Sequence, residues 1–275
     1  MPEPTQYYNR LADQVAIVTG AGAPGDEMGN GRAIAILFAR ERARVCVVTR
    51  DAANAQRTVE MISAFGGAAF ACAGDVTKPD DCARIVARTL ETYGALDILV
   101  NNVGRGFGGP RLEDVDDATW REVLDVNLTG AFNMCRAAMP ALLAGRGKAI
   151  VNISSISGQR AHGTPAYGPA KAALDAFTRE LATMYGRQGL RANTVSPGHL
   201  YTPHVANNPY TAALREQRRK AGPLGLEGDA WDVASATLFL ASREARLITG
   251  ALLPVDAGVS QIGAMTGHSL IEDQN

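Results

Sequence analysis

Cysteine is scarce in this chain: four among 275 residues, at Cys46, Cys72, Cys82 and Cys135. None sits at C-x-x-C or another metal-type spacing, which argues against a zinc ribbon, a cluster site or a dithiol redox motif. Three of the four fall in apolar strand-like or helix-like patterns. They are read as buried thiols in a reducing cytoplasm. The four histidines, His162, His199, His204 and His268, also lack ligand spacing, so no metal is expected. No apolar run reaches the roughly 20 residues a membrane-spanning helix needs. The first ten residues are polar and lack the apolar stretch of a signal peptide. Net charge is only −1, from 27 basic and 28 acidic residues. It supplies no electrostatic reason to expect nucleic acid or an anionic membrane as partner. Linkers, charge blocks and low-complexity tracts are missing too, so 1–275 is read as a single domain.

What is present is an alternation. Strand-like runs at 15–19, 45–49, 68–73, 98–100, 149–153, 192–195 and 251–255 are separated by helix-like runs at 32–40, 53–65, 118–143, 170–185 and 230–241. A further helix is expected to start at Thr77-Lys78-Pro79-Asp80, with Thr77 as cap. Alternation of this kind predicts an α/β fold: a doubly wound, Rossmann-like parallel sheet of about seven strands with helices on both faces. Ligands of such sheets lie at the carboxyl ends of the strands. Thr19, Asp75, Asn101 and Ser155 all fall near strand ends, so they converge on one edge.

Residues 19–31 read T-G-A-G-A-P-G-D-E-M-G-N-G. Gly20, Gly22 and Gly25 spell G-x-G-x-x-G, one register of a phosphate-binding turn. Gly20, Gly29 and Gly31 form another. Phosphates bind where backbone N–H groups open a helix. A helix can begin after Gly31 but not after Gly25, and Asn30 is a candidate cap. The second register is therefore preferred, with Asp26 and Glu27 pointing away from any phosphate.

Tyr167 and Lys171 stand four apart in Y-G-P-A-K, on one face of a helix. A free phenol has a pKa of about 10. An adjacent ammonium favours the phenolate, which suits proton exchange near neutral pH. Twelve residues upstream is Ser155, ending an apolar strand. Asn127 lies in D-V-N-L-T-G, and Asn101-Asn102-Val103-Gly104 follows another strand. Downstream is Ser196-Pro197-Gly198, with Thr202. Taken together and in this order, these motifs resemble the short-chain dehydrogenase/reductase family in its compact branch, over about residues 11–258.

The resemblance implies an NAD(P)(H)-dependent oxidoreductase acting on a small alcohol or carbonyl substrate. Tyr167 would donate or accept the proton. Lys171 would lower the pKa of Tyr167 and hold the nicotinamide ribose. Ser155 would orient the substrate oxygen, and Asn127 would hold a water behind Lys171. Ser155 is preferred to its rival Ser154 because Gly158 follows it by three, as in the family's S-x-x-G, and because alternation points the two serines opposite ways. The cofactor-binding set implied is Gly20, Gly29, Asn30, Gly31, Thr49, Arg50, Asp75, Val76, Asn102, Gly104, Tyr167, Lys171, Pro197, Gly198 and Thr202. The family spaces its glycines T-G, three residues, then G-x-G, so this loop carries five extra residues. NAD-using members usually carry Asp at the position of Thr49. A neutral Thr49 followed by Arg50 favours NADP(H), with NAD(H) as the alternative if Asp51 takes the ribose.

The resemblance also implies an insert over the substrate at 199–226. It holds Tyr201, His204, Asn207, Asn208, Tyr210 and a basic run, Arg218-Arg219-Lys220, read either as an anion attractor or as a solvated helix face. Gly106, Gly108 and Gly109 form a second loop near the site. A homotetramer is implied, paired through 118–143 and 170–185, with the tail 259–275 reaching a neighbour or free. A non-catalytic NADP(H) sensor is the competing reading.

Overall fold

The computed structural model describes residues 8–106, 109, 111–203 and 212–263. Seven parallel strands form one sheet in the order β3-β2-β1-β4-β5-β6-β7. They are β1 Val15–Thr19, β2 Arg44–Thr49, β3 Ala68–Ala73, β4 Ile98–Asn101, β5 Ala149–Ile153, β6 Arg191–Pro197 and β7 Leu252–Val255. The strand order reverses between β1 and β4, and the crevice of a doubly wound sheet opens at such a reversal.

Strand alternation divides the core in two. Val18, Val47, Val100 and Val151 face α1 (Asn30–Arg40), α2 (Ala52–Ser63) and the late helix Ala230–Ala241. Ile17, Cys46, Leu99 and Ile150 face α3 (Pro79–Tyr93), α5 (Gly130–Ala144) and α6 (Tyr167–Tyr185). Ile34, Leu37 and Phe38 of α1 are fully buried. Each contributes about 1.5–3 kcal/mol through burial. All four cysteines are buried free thiols, as expected.

The helix read at 118–143 is two helices with a π-turn between them. α4 is Asp117–Leu124, the π-turn is Asp125–Thr129, and α5 follows. Gly130 lets this junction close on Val76: a Cβ there would stand 2.7 Å from Val76 Cγ2. Two expected caps are corrected. The first turn of α3 is capped by Lys78, and Thr77 Oγ1 instead donates to Asp75 Oδ1. Gly29 caps α1, and Asn30 is its first residue. α6 begins at Tyr167, three residues before the expected start, because Pro169 is tolerated in a first turn where no N–H is needed.

A buried polar ladder crosses the sheet beneath the site. Asn101 Nδ2 donates to Asn152 Oδ1 at 2.8 Å, and Asn152 Nδ2 donates to Thr178 Oγ1 at 2.8 Å. Thr194 Oγ1 donates to Thr178 Oγ1 at 3.1 Å. Asn101 therefore belongs to the core and not to the sheet edge, where Asn102 takes its expected place. The tail residues 264–275, with His268, lie outside the described residues, as do His204, Asn207, Asn208, Tyr210 and Gly108. No helix among the described residues is long and apolar enough to cross a membrane.

Candidate active site

The carboxyl ends of β1, β2, β4 and β5 open into a groove with two chambers. The first is lined by Gly20, Gly22, Thr49, Arg50, Asp75, Val76, Asn102 and Gly104, among others. The second, about 290 Å³, is lined by Asn30, Ser155, Tyr167, Lys171, Pro197, Gly198, Thr202 and neighbours. Asn102 and Gly104 border both, so the groove is continuous.

The glycine-rich turn is built by close approach. Gly20 has φ +64°, a left-handed conformation that favours glycine. A Cβ on Gly31 would stand 2.2 Å from Gly20 O and 2.5 Å from Asn102 Nδ2. Asn102 Nδ2 donates to Thr19 O and Gly20 O, and its own N–H donates to Thr19 Oγ1. Helix α1 opens at Asn30, in agreement with the register Gly20–Gly29–Gly31. The other register also contributes, because Gly22 lines the first chamber and a Cβ there would stand 2.8 Å from Thr49 Cγ2. Gly29 is less constrained: the nearest atom to a Cβ there is 3.9 Å away. Asp26 turns outward and pairs with Arg57 at 2.6 Å, which holds its carboxyl below the usual range.

Asn30 Oδ1 is buried without a hydrogen-bond partner, and the residue lines the second chamber. The glycine cradle and the open N-terminus of α1 fit the phosphates of an extended cofactor, and the orphaned oxygen would accept from a hydroxyl or amide N–H on it. Arg50 is exposed at the rim of the first chamber. Asp51 instead caps α2, accepting from Asn54 N at 3.0 Å.

The second chamber gathers the proposed chemistry. Lys171 is 2 % exposed, and its Nζ donates to Ile153 O at 2.9 Å. The same Nζ lies 5.6 Å from the centroid of the Tyr167 ring. Burial brings the amine down to about 8, opposed by the charge of Asp175 one turn on. Burial raises the Tyr167 phenol above its ordinary value, and a hydrogen bond with Ser155 opposes it. Burial is thus the larger of the two influences on this phenol.

Ser155 and Ser154 both border the chamber but have different partners. Ser155 caps a short 3₁₀ turn at Ile156–Gly158 and lines the chamber. Ser154 is 4 % exposed, and its hydroxyl donates to Lys171 O. Gly158 lets this turn press on α6, since a Cβ there would stand 2.9 Å from Ala172 N.

The π-turn aims Asn127 beneath the loop after β4. Its Oδ1 accepts from Arg105 N at 3.1 Å, and its Nδ2 donates to Arg105 O at 2.8 Å and Val123 O at 2.9 Å. Gly106 places its backbone against the Tyr167 ring, 3.7 Å from a built Cβ. The helix Ala212–Lys220 brings its basic run only partly to the site. Arg218 lines the second chamber and pairs with Glu227 at 3.1 Å, while Arg219 and Lys220 both pair outside it with Glu216. His199 lines the chamber; burial lowers its pKa, and its Nδ1 lies 3.3 Å from Arg218 O. His162 also lines the chamber but is exposed.

Gly22 stands in the less preferred glycine register, Asn30 is expected in the cofactor set though not with a partnerless oxygen, and of the basic run only Arg218 turns inward.

Comparison with known proteins agrees with this architecture. A family model described as "Enoyl-(Acyl carrier protein) reductase" matches residues 25–260. The chain is 35% identical to 2-(S)-hydroxypropyl-CoM dehydrogenase 3 of Xanthobacter autotrophicus, over 92% of this chain and 99% of that one. It is 35% identical to cis-4-hydroxycyclohexanecarboxylate dehydrogenase of Sinomonas cyclohexanicum, covering 92% and 98%. A short-chain type dehydrogenase/reductase of known structure from Mycobacterium ulcerans superposes with a TM-score of 0.86 at 29% identity, covering 91% of each chain. The strand order, the glycine cradle and the named relatives converge, and the chain belongs to the short-chain dehydrogenase/reductase family of oxidoreductases.

Proposed function

We propose that the protein transfers hydride between a nicotinamide cofactor, NADP(H) in preference to NAD(H), and a small alcohol or ketone. One observation carries this reading. Tyr167, Ser155 and Lys171 meet in one chamber that is continuous with the glycine cradle. Both relatives named above are dehydrogenases whose names describe hydroxylated small molecules.

When bound, the nicotinamide supplies or accepts the hydride; the chain's own groups handle the proton. In the reductive direction Tyr167 donates its phenolic proton to the carbonyl oxygen. Burial keeps that phenol protonated at neutral pH, which suits this role. Ser155, hydrogen-bonded to Tyr167, orients the same oxygen. Lys171 returns the proton from behind, and Asn127 holds a water that completes the path. Gly20, Gly22, Gly31 and the first turn of α1 would receive the pyrophosphate. Arg50 would hold a 2′-phosphate, and Asp75 and Val76 would hold the adenine. Pro197, Gly198 and Thr202 would hold the nicotinamide end. His199, Leu200, Thr202 and Arg218 would border the substrate, and the chain works as a homotetramer, which light scattering tests.

A screen of alcohols and ketones, followed by nicotinamide absorbance, tests the activity. Turnover with at least one pair is expected. Saturable NADPH binding with no turnover across the screen would instead favour the sensor reading.

A further inference from the structure

Arg32 is the largest fully buried side chain among the described residues, and none of the roles above uses it. Its partners are backbone carbonyls rather than a carboxylate. Nη2 donates to Ala23 O, and Nη1 donates to Gly25 O and Glu27 O. Nε donates to Thr58 Oγ1 at 3.0 Å, and that hydroxyl donates to Ala21 O at 2.8 Å. Carbonyls 21, 23, 25 and 27 are thus all turned toward one buried centre. In a trans peptide the N–H points opposite to its C=O. The alternation therefore turns the N–H of Gly22, Asp26 and Met28 away from that centre. Gly22 then borders the first chamber. The clipped stretch contains the five residues by which this loop exceeds the family's spacing.

We propose that Arg32, with Thr58 as its relay, is the positioning residue that holds the lengthened glycine-rich loop in its cofactor-receiving shape. This rests on the dinucleotide reading of the groove. A loop of this length would otherwise lose conformational freedom on binding, at a cost in affinity. The guanidinium removes that freedom before the cofactor arrives. Ala23 O, the buried one of the three, is left unpaired when its donor is lost, so the clip is also hard to replace.

The test couples Arg32 to the extra residues. Deleting residues 24–28 leaves T-G-A-G-A-G-N-G, the family's three-residue spacing. Dissociation constants for NADPH and NADH are measured for the wild type, for Arg32→Met, for the deletion and for the combination. In the full chain Arg32→Met is expected to weaken cofactor binding about tenfold or more, the sum of two or three lost hydrogen bonds. In the shortened chain the same substitution is expected to change affinity less than about threefold, because the extra residues it clips, with the acceptors Gly25 O and Glu27 O, are gone and only Ala23 O and Thr58 remain. Equal losses in both backgrounds would make Arg32 a brace of the fold and overturn the proposal. So would unchanged affinity in the full chain beside a binding wild type. Should the deletion fail to fold, hydrogen exchange in full-length Arg32→Met decides. Faster exchange confined to residues 20–30 supports the clip, and acceleration spread over the whole chain overturns it. A wild type that binds neither nucleotide sinks the dinucleotide reading itself, a failure visible before any variant is made.

Discussion

Gly104 lies against the amine of Lys171: a Cβ built on it would stand 2.8 Å from Nζ and 3.0 Å from Asn127 Oδ1. The amine has little room to yield, because it is buried and already bonded to Ile153 O. Gly104→Ala is therefore expected to displace Lys171 and lower turnover by about tenfold or more, in line with what a misplacement of about 1 Å costs. The melting temperature should move by no more than a few degrees. Wild-type kcat in the alanine variant would show that Lys171 tolerates the shift.

Tyr167→Phe removes one oxygen and keeps the ring that packs beside Gly106. Turnover is expected to fall by about 10²–10⁴-fold, the usual worth of a positioned proton donor. Cofactor affinity and stability should stay near wild type. Activity within about threefold of wild type would remove Tyr167 from the mechanism.

Cofactor preference should be legible at the end of β2. Arg50→Ala is expected to weaken NADPH by about 1.5–3 kcal/mol, the range for a charge-assisted contact. NADH affinity should barely change. Thr49→Asp should move preference toward NADH, since a carboxylate there binds ribose hydroxyls and repels a 2′-phosphate. Equal losses for both nucleotides in Arg50→Ala would contradict the assignment.

Lys171 also predicts a dependence of stability on pH. The unfolded amine keeps its proton up to about 10.5, whereas the buried one loses it near about 8. Between those values the unfolded chain binds more protons, so stability attributable to Lys171 rises with pH. The slope has a ceiling of about 1.4 kcal/mol per pH unit. Above about pH 10 the raised phenol of Tyr167 works in the opposite sense. Urea unfolding at pH 7.5 and pH 10, compared between wild type and Lys171→Met, isolates the effect. A wild-type minus variant difference that stays flat would contradict it.

The alternation of apolar runs made the sheet and its handedness readable, because parallel strands buried on both faces leave a strong sequence imprint. The late helix Ala230–Ala241 has the bounds read for it. Ser155, Tyr167 and Lys171 are singled out for a different reason, the order of motifs that resembles the short-chain family; the structure sets them beside one chamber, at the end of β5 and in the first turns of α6. The misses share a cause. The π-turn around Asn127 has no composition signal, since it follows from how α5 closes on Val76. The burial of Arg32 runs against its residue type, and the carbonyls of the loop just upstream, with Thr58, explain it.

The polar ladder from Asn101 to Thr194 has a consequence for how accurately the groove is assembled. Apolar strands buried on both faces can slide by two residues and still present hydrophobic side chains to each layer. Amide-to-amide and amide-to-hydroxyl bonds near 2.8 Å have no such tolerance. Asn101, Asn152 and Thr194 therefore work as a gauge that fixes the relative heights of β4, β5 and β6. Asn102 and Ser155 leave the sheet at levels set by that gauge, so residues that never touch a ligand calibrate the depth at which it would sit.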